Sequence, residues 1–146
     1  MESPFDPRSV LFAKHAQHLV LVHFAIGLCL TSTIFEVLGK WRSNAALISA
    51  SYYNQLSAAI ASLPVIVTGL LAWRFQLERA TLKGNLLLHL IFGVTTSFLM
   101  WSVVALYRRT ETKWVRIRYF AQVLTAICVS ITGHLGGFVS GLIGGS

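Results

Sequence analysis

Four long apolar runs dominate this sequence of 146 residues and limit it to very few folds. They cover residues 18–38, 53–75, 84–107 and 119–143. Each reaches the roughly 20 residues that a helix needs to cross the hydrocarbon of a bilayer. Continuous apolar character without period-two alternation favours helices over strands, and four strands cannot close a barrel in lipid. The first run is too long for the core of a cleavable signal peptide, so we expect it to be a span.

The loops between these runs are short, and short loops make successive helices antiparallel. The sequence therefore predicts an all-α protein, an integral membrane up-down four-helix bundle that forms a single domain over residues 1–146. Composition agrees, because 55% of the residues are hydrophobic and only 12% are charged. A soluble domain carries about a quarter charged residues. Cys29 and Cys128 both lie inside apolar runs, which excludes a small disulfide-stapled module.

The net charge of +7 comes from basic residues that lie between the apolar runs. That placement indicates topology rather than nucleic-acid binding, so we expect lipid and not nucleic acid as a partner. Loops one and three carry the larger basic charge (Lys40, Arg42, Arg108, Arg109, Lys113, Arg116, Arg118). The positive-inside rule then places both loops in the cytoplasm and both termini on the periplasmic side of a bacterial inner membrane.

Histidines on three different spans are the most informative polar residues. From a helical rise of about 1.5 Å per residue, His23 and His89 lie about 8 Å and His134 about 13 Å inside the outer boundary. Ionisable groups at such depths tend to mark functional sites, although an interhelical hydrogen bond is the ordinary alternative. His18 lies at the outer mouth, and about 140° of helical rotation separates it from His23.

Neutral imidazoles that face each other across a helical bundle are suited to bind haem b. We predict one haem b whose axial ligands come from His23, His89 and His134, with His18 as an alternate. Glycines near His89 and His134 leave room for a macrocycle. Basic residues around the same mouth suit its propionates (Lys14, Arg74, Lys83).

Two other interpretations of the polar residues remain open. The same three histidines could hold zinc or copper, although Cys29 and Cys128 lie about 9 Å along the helix axis from the nearest of them. Glu36 is the only carboxylate inside a run and could relay a proton or bind a quinone head. A surface ion pair with Lys40, its i+4 neighbour, is the preferred explanation for Glu36.

Several short motifs resemble a bacterial family of small predicted membrane proteins of unknown function. The first span carries H-x-x-x-x-H-F at His18–Phe24, and the second carries Thr68-Gly69-Leu-Leu-Ala72-Trp73, where the family often has Asp at the place of Ala72. His89 opens the third span, and Gly133-His134-Leu-Gly136-Gly137 matches the G-H-x-G-G motif of one branch. The resemblance implies a four-helix membrane protein in an electron-transfer setting, since members of that branch often accompany c-type cytochrome modules.

The leading functional hypothesis is a cytochrome-b-like subunit that passes electrons between a membrane quinol pool and an outer-side redox partner. A chain with so little mass outside the membrane is expected to work within a larger membrane complex. The alternative is a cofactor-free structural subunit that anchors a respiratory or photosynthetic assembly. In that case the histidines bond between helices or to partner chains. Nothing in the sequence indicates nucleophilic catalysis.

Overall fold

Four α-helices make up the part of the chain described by a computed structural model, namely residues 14–75 and 81–143. They are α1 (Lys14–Trp41), α2 (Ala45–Phe75), α3 (Gly84–Leu106) and α4 (Thr112–Ile143). Side chains are described within residues 18–74 and 81–139. These residues contain no strand.

All four helices are long and apolar enough to cross a membrane, over His18–Trp41, Ala45–Arg74, Gly84–Leu106 and Thr112–Val139. Large apolar side chains such as Phe24, Phe98 and Phe120 point outward, where lipid covers them. Helix α1 packs most extensively on α2, and α3 packs on α4. The two hairpins meet through α2 with α3 and α1 with α4. The predicted all-α, up-down four-helix membrane bundle is confirmed.

The turn between α1 and α2 has local chemical causes. The Asn44 side-chain oxygen accepts hydrogen bonds from the backbone N–H groups of Ala46 (2.9 Å) and Leu47 (3.3 Å), which caps the start of α2. Gly39 lies so close to α2 that a Cβ atom there would come 2.7 Å from Ile48 Cδ1. A residue without a side chain therefore lets the two helices begin their contact immediately after the turn.

A thin apolar layer crosses the middle of the bundle. Its buried members are small or flexible side chains: Cys29, Ala58, Ala59, Met100, Val104 and Val129. Small residues allow helices to approach closely in lipid, where no hydrophobic effect drives them together. This layer separates a polar network near the α1–α2 and α3–α4 loops from a cavity at the opposite end.

The polar network corrects the sequence-based interpretation of Glu36. Its side chain is fully buried and accepts hydrogen bonds from Arg118 Nη2 (2.8 Å) and from the Tyr107 hydroxyl (2.8 Å). Lys40 is not its partner, because the Lys40 ammonium lies 4.2 Å from the centre of the Tyr119 ring. A carboxylate in a low-dielectric interior needs such partners to stay charged. The predicted surface pair was therefore wrong, and Arg118 is not an exposed loop cation.

Buried amides and hydroxyls continue the network from Glu36 toward the apolar layer. The Ser51 and Tyr107 hydroxyl oxygens are 2.6 Å apart, and Ser51 donates to the Ser32 carbonyl at 2.8 Å. Gln122 Nε2 donates to Ser32 Oγ (2.9 Å) and to Gln55 Oε1 (3.0 Å). Gln55 Nε2 also donates to the Met100 carbonyl of α3 at 3.3 Å, so interhelical hydrogen bonds join all four helices and supplement packing inside a membrane.

Candidate functional site

A cavity of about 400 Å³ lies between the two hairpins, at the end of the bundle away from the polar network. All four helices line it, mostly with aliphatic side chains and glycines. Each helix contributes residues three or four positions apart, as Leu19, Val22, His23 and Ile26 do on α1. The volume lies within the range of small-molecule and cofactor sites, which are concave and mostly apolar with a few polar groups.

His18 is held at this cavity by a neighbour on α2. Its Nδ1 atom lies 3.0 Å from the Thr68 hydroxyl oxygen. That hydroxyl donates its own proton to the Pro64 carbonyl (2.8 Å), so its oxygen accepts from His18. The ring also lies against Gly69, where a Cβ atom would come 3.2 Å from His18 Cε1. A side chain at Gly69 would therefore displace the imidazole.

His23 lines the same cavity from the next turn of α1. Its Nδ1 atom lies 2.7 Å from the Leu19 carbonyl oxygen of its own helix. A carbonyl can only accept, so Nδ1 is the donor, and in the neutral ring Nε2 holds the lone pair. The side chain is exposed in the described structure, and its ring is oriented by this one local hydrogen bond.

His89 reaches the cavity from α3 and is held by α4. Its Nδ1 atom lies 3.1 Å from the Thr132 carbonyl oxygen, which again makes Nδ1 the donor and leaves the lone pair on Nε2. The ring packs against the backbone of Gly136, because a Cβ atom there would come 3.0 Å from His89 Cε1. The protonation pattern of His23 and His89 is the one found in metal-bound histidines, which donate their other nitrogen to an oxygen.

His134 is not part of this group. It is exposed on α4, where its ring meets Phe138 edge-on at a centroid distance of 5.0 Å. The cavity-facing residues Thr132 and Gly136 each lie two positions away, which is about 200° around a helix. The structure thus places His18, His23 and His89 on the lining of one cavity, and His134 is not among the lining residues.

Two of the basic residues predicted for this mouth fall beside the cavity. Arg74 and Lys83 are exposed, and each directly follows a residue that lines the cavity, Trp73 and Leu82 respectively. Lys83 also occupies the position immediately before α3. The side chain of Lys14 lies outside the described residues.

The described side chains contain no group of three or more His, Cys, Asp or Glu placed to hold a metal ion together. Cys29 and Cys128 are buried and unpaired with each other, and Cys29 belongs to the apolar layer. The nitrogen donors at the cavity are therefore three imidazoles, His18 and His23 on α1 and His89 on α3.

Sequence reasoning identified the histidines but not the residues that orient them. Thr68 and Gly69, in the motif of the second span, hold His18. Gly136, in the motif of the fourth span, seats His89 rather than surrounding His134. The signal for this arrangement was helical register, because Thr132 and Gly136 are four residues apart and so share a face.

Comparisons with known proteins agree with this architecture. A family model described as "Predicted membrane protein (DUF2231)" matches residues 14–141. No curated protein and no solved structure matches the chain. The matched region contains nearly all of the four helices and every residue of the cavity, and the chain therefore belongs to the DUF2231 family of predicted membrane proteins.

Proposed function

We propose that this protein is a cytochrome-b-like membrane subunit that holds one haem b in the cavity between its two hairpins. One observation carries the proposal: His23 and His89 stand on different helices, line one cavity and each direct Nδ1–H at a backbone carbonyl. Nε2 of each ring would then be the atom that could hold a haem iron. His18 is the alternate to His23 on α1.

The lining of the cavity suits a flat, largely apolar group. Gly93 and Gly133 add two positions without side chains, and most of the residues around them are aliphatic. Arg74 and Lys83, beside the cavity, are the partners for propionates. Haem supplies reversible one-electron chemistry at its iron, and ligation, hydrogen bonding and burial in the protein set its reduction potential.

In this proposal the subunit lies in a bacterial inner membrane with its termini on the periplasmic side. Electrons pass between the quinol pool and an outer-side redox partner, for which a c-type cytochrome is the candidate. The chain is short and mostly embedded in lipid, so we place it within a larger membrane complex. The Nδ1–H···O=C bonds of His23 and His89 would hold both rings in one orientation through the redox cycle.

The test is an absorption spectrum and a pyridine-haemochrome assay on the purified full chain. We expect a Soret band, with sharp α and β bands after reduction. His89→Ala should abolish the reduced-state bands, since it removes the ligand from α3. His134→Ala is the matched control and should keep them, because His134 lies outside the cavity. Comparing His23→Ala with His18→Ala then identifies the ligand on α1.

A colourless protein that copurifies only with a large membrane complex would overturn the proposal. That result would favour the alternative, a cofactor-free anchor subunit in which the histidines serve as interhelical hydrogen-bond donors. Loss of haem in His134→Ala but not in His89→Ala would also contradict the assignment of the cavity.

A further inference from the structure

The end of the bundle that carries the α1–α2 and α3–α4 loops is strongly basic. Six exposed cations lie there and define what we term the basic face: Lys40, Arg42, Arg108, Arg109, Lys113 and Arg116. They come from both hairpins. Lys40 lies in the last turn of α1, and Lys113 and Arg116 lie one turn apart at the start of α4. The up-down order of the helices brings both loops to one end.

Carboxylates of the described residues do not neutralise this face. Glu36 is fully buried and bound by Arg118, which is itself only 7% exposed. Glu111 is the one exposed carboxylate in the described part of this end. The Glu36–Arg118 pair is the only salt bridge found among the described residues, so the six cations carry their charge without a protein counterion.

Aromatic rings lie next to three of these cations. Arg42 stacks over Trp41 and Lys113 over Trp114, each 5.6 Å from the ring centroid, and Lys40 lies over Tyr119. Tryptophan and tyrosine concentrate at the level of lipid headgroups. Three of the six cations therefore lie beside residues of the kind that concentrate at headgroup level.

We propose that the basic face binds the anionic phospholipid headgroups of the leaflet that surrounds it. Clusters of Lys and Arg next to membrane helices attract acidic lipids by charge. Here the six cations outnumber the one exposed carboxylate, form no ion pair among the described residues and come from both hairpins, and three of them lie beside aromatic rings. Bound anionic lipids would bridge the hairpins at the end opposite the cavity.

The experiment reconstitutes the full chain into bilayers of phosphatidylcholine and phosphatidylglycerol. Association of spin-labelled versions of each lipid with the protein is measured by electron paramagnetic resonance. We expect phosphatidylglycerol to be preferred at low salt. The preference should disappear near 1 M NaCl, where the screening length falls to about 3 Å.

Variants locate the preference on the molecule. Replacing four cations together (Arg108→Gln, Arg109→Gln, Lys113→Gln, Arg116→Gln) should lower it several-fold, with about fivefold per cation as the upper value. Glu111→Gln should raise it, since it removes the exposed negative charge. Thr110→Gln adds glutamine to the same loop without a change in charge and should leave it unaltered. Circular dichroism checks that every variant keeps its helices.

Two results would overturn the proposal. One is a preference for phosphatidylglycerol that survives in the four-cation variant with its helices intact. The other is selective loss of the preference in inorganic phosphate but not in chloride of the same ionic strength. That second result would mean that the face is a site for soluble phosphate rather than for the bilayer.

Discussion

The His89 ring lies directly on the backbone of Gly136, and a Cβ atom at position 136 would come 3.0 Å from His89 Cε1. Since Thr132, one turn earlier on α4, accepts the hydrogen bond from His89, a single turn of α4 both seats and orients this imidazole. The glycine is thus a steric requirement of the cavity rather than a helix breaker.

Gly136→Ala should displace His89 and destabilise the bundle. Forcing a methyl group into a packed contact costs about 1–3 kcal/mol, against about 0.5–1 kcal/mol gained from the higher helix propensity of alanine. Gly137→Ala is the matched control, because a Cβ atom there would meet nothing within 4 Å. Thermal unfolding in detergent should show a lower midpoint for Gly136→Ala only. Equal midpoints for the two variants would mean that the His89 ring can move away from the added methyl group at little cost.

Thr68→Val tests the corresponding contact on α2. The substitution keeps the shape of the side chain but removes the oxygen that accepts from His18 Nδ1 at 3.0 Å. The expected loss is about 1 kcal/mol of unfolding free energy, the usual net contribution of one hydrogen bond. Thr31→Val provides the comparison, since the Thr31 hydroxyl bonds only to the Gly27 carbonyl of its own helix. Chemical unfolding monitored by tryptophan fluorescence gives the unfolding free energy of both variants. Similar losses of free energy would mean that the bond from His18 to Thr68 adds no stability.

Hydropathy was sufficient to predict the four spans and their order, because the bilayer imposes a length on each apolar run. It placed the starts of α2 and α4 too late, at residues 53 and 119 instead of Ala45 and Thr112. Residues 112–118 at the start of α4 are helical but include three cations. A search for continuous apolar residues therefore begins the helix only after them. Long basic side chains reach the interface from such a turn, so its helicity is compatible with lipid.

The interaction partners of the polar side chains could not be predicted from the sequence in the same way. Lys40, the nearest basic residue along α1, was the wrong partner for Glu36, because Arg118 lies 82 positions away in the chain and arrives only through tertiary packing. His134 was grouped with the other histidines by depth alone. Depth depends on position along a helix, whereas contact also depends on rotation about it, and that rotation follows from residues such as Thr132 and Gly136.

Glu36→Gln should be among the most damaging single substitutions in the chain. It leaves the buried Arg118 guanidinium without its carboxylate, and breaking a buried pair in this way costs about 3–5 kcal/mol. Glu111→Gln changes an exposed carboxylate of the same kind and should stay within about 0.5 kcal/mol. Unfolding in denaturing detergent gives both values. The double variant Glu36→Gln/Arg118→Met should cost less than the sum of its singles, and strict additivity would refute the coupling.

Gln55 and Gln122 give the last prediction, because the network leaves one of their atoms unsatisfied. Gln122 Nε2 donates to Gln55 Oε1 at 3.0 Å, but Gln122 Oε1 is buried and is the one such side-chain atom without a hydrogen-bond partner across the described residues. Flipping the Gln122 amide does not help, since it would set its oxygen against Gln55 Oε1.

Gln122→Met removes that unsatisfied oxygen but also removes the donor to Gln55 Oε1. The unsatisfied buried acceptor is then Gln55 Oε1 instead of Gln122 Oε1. Gln55→Met retains the original defect. The double variant removes both amides and keeps similar volume, and replacing both partners by apolar groups can be nearly neutral or stabilising. We therefore expect Gln55→Met/Gln122→Met to unfold at or above the midpoint of either single variant. A double variant less stable than both singles would show that the remaining bonds of the two amides, from Gln122 to Ser32 and from Gln55 to the Met100 carbonyl, contribute more than the unsatisfied oxygen costs.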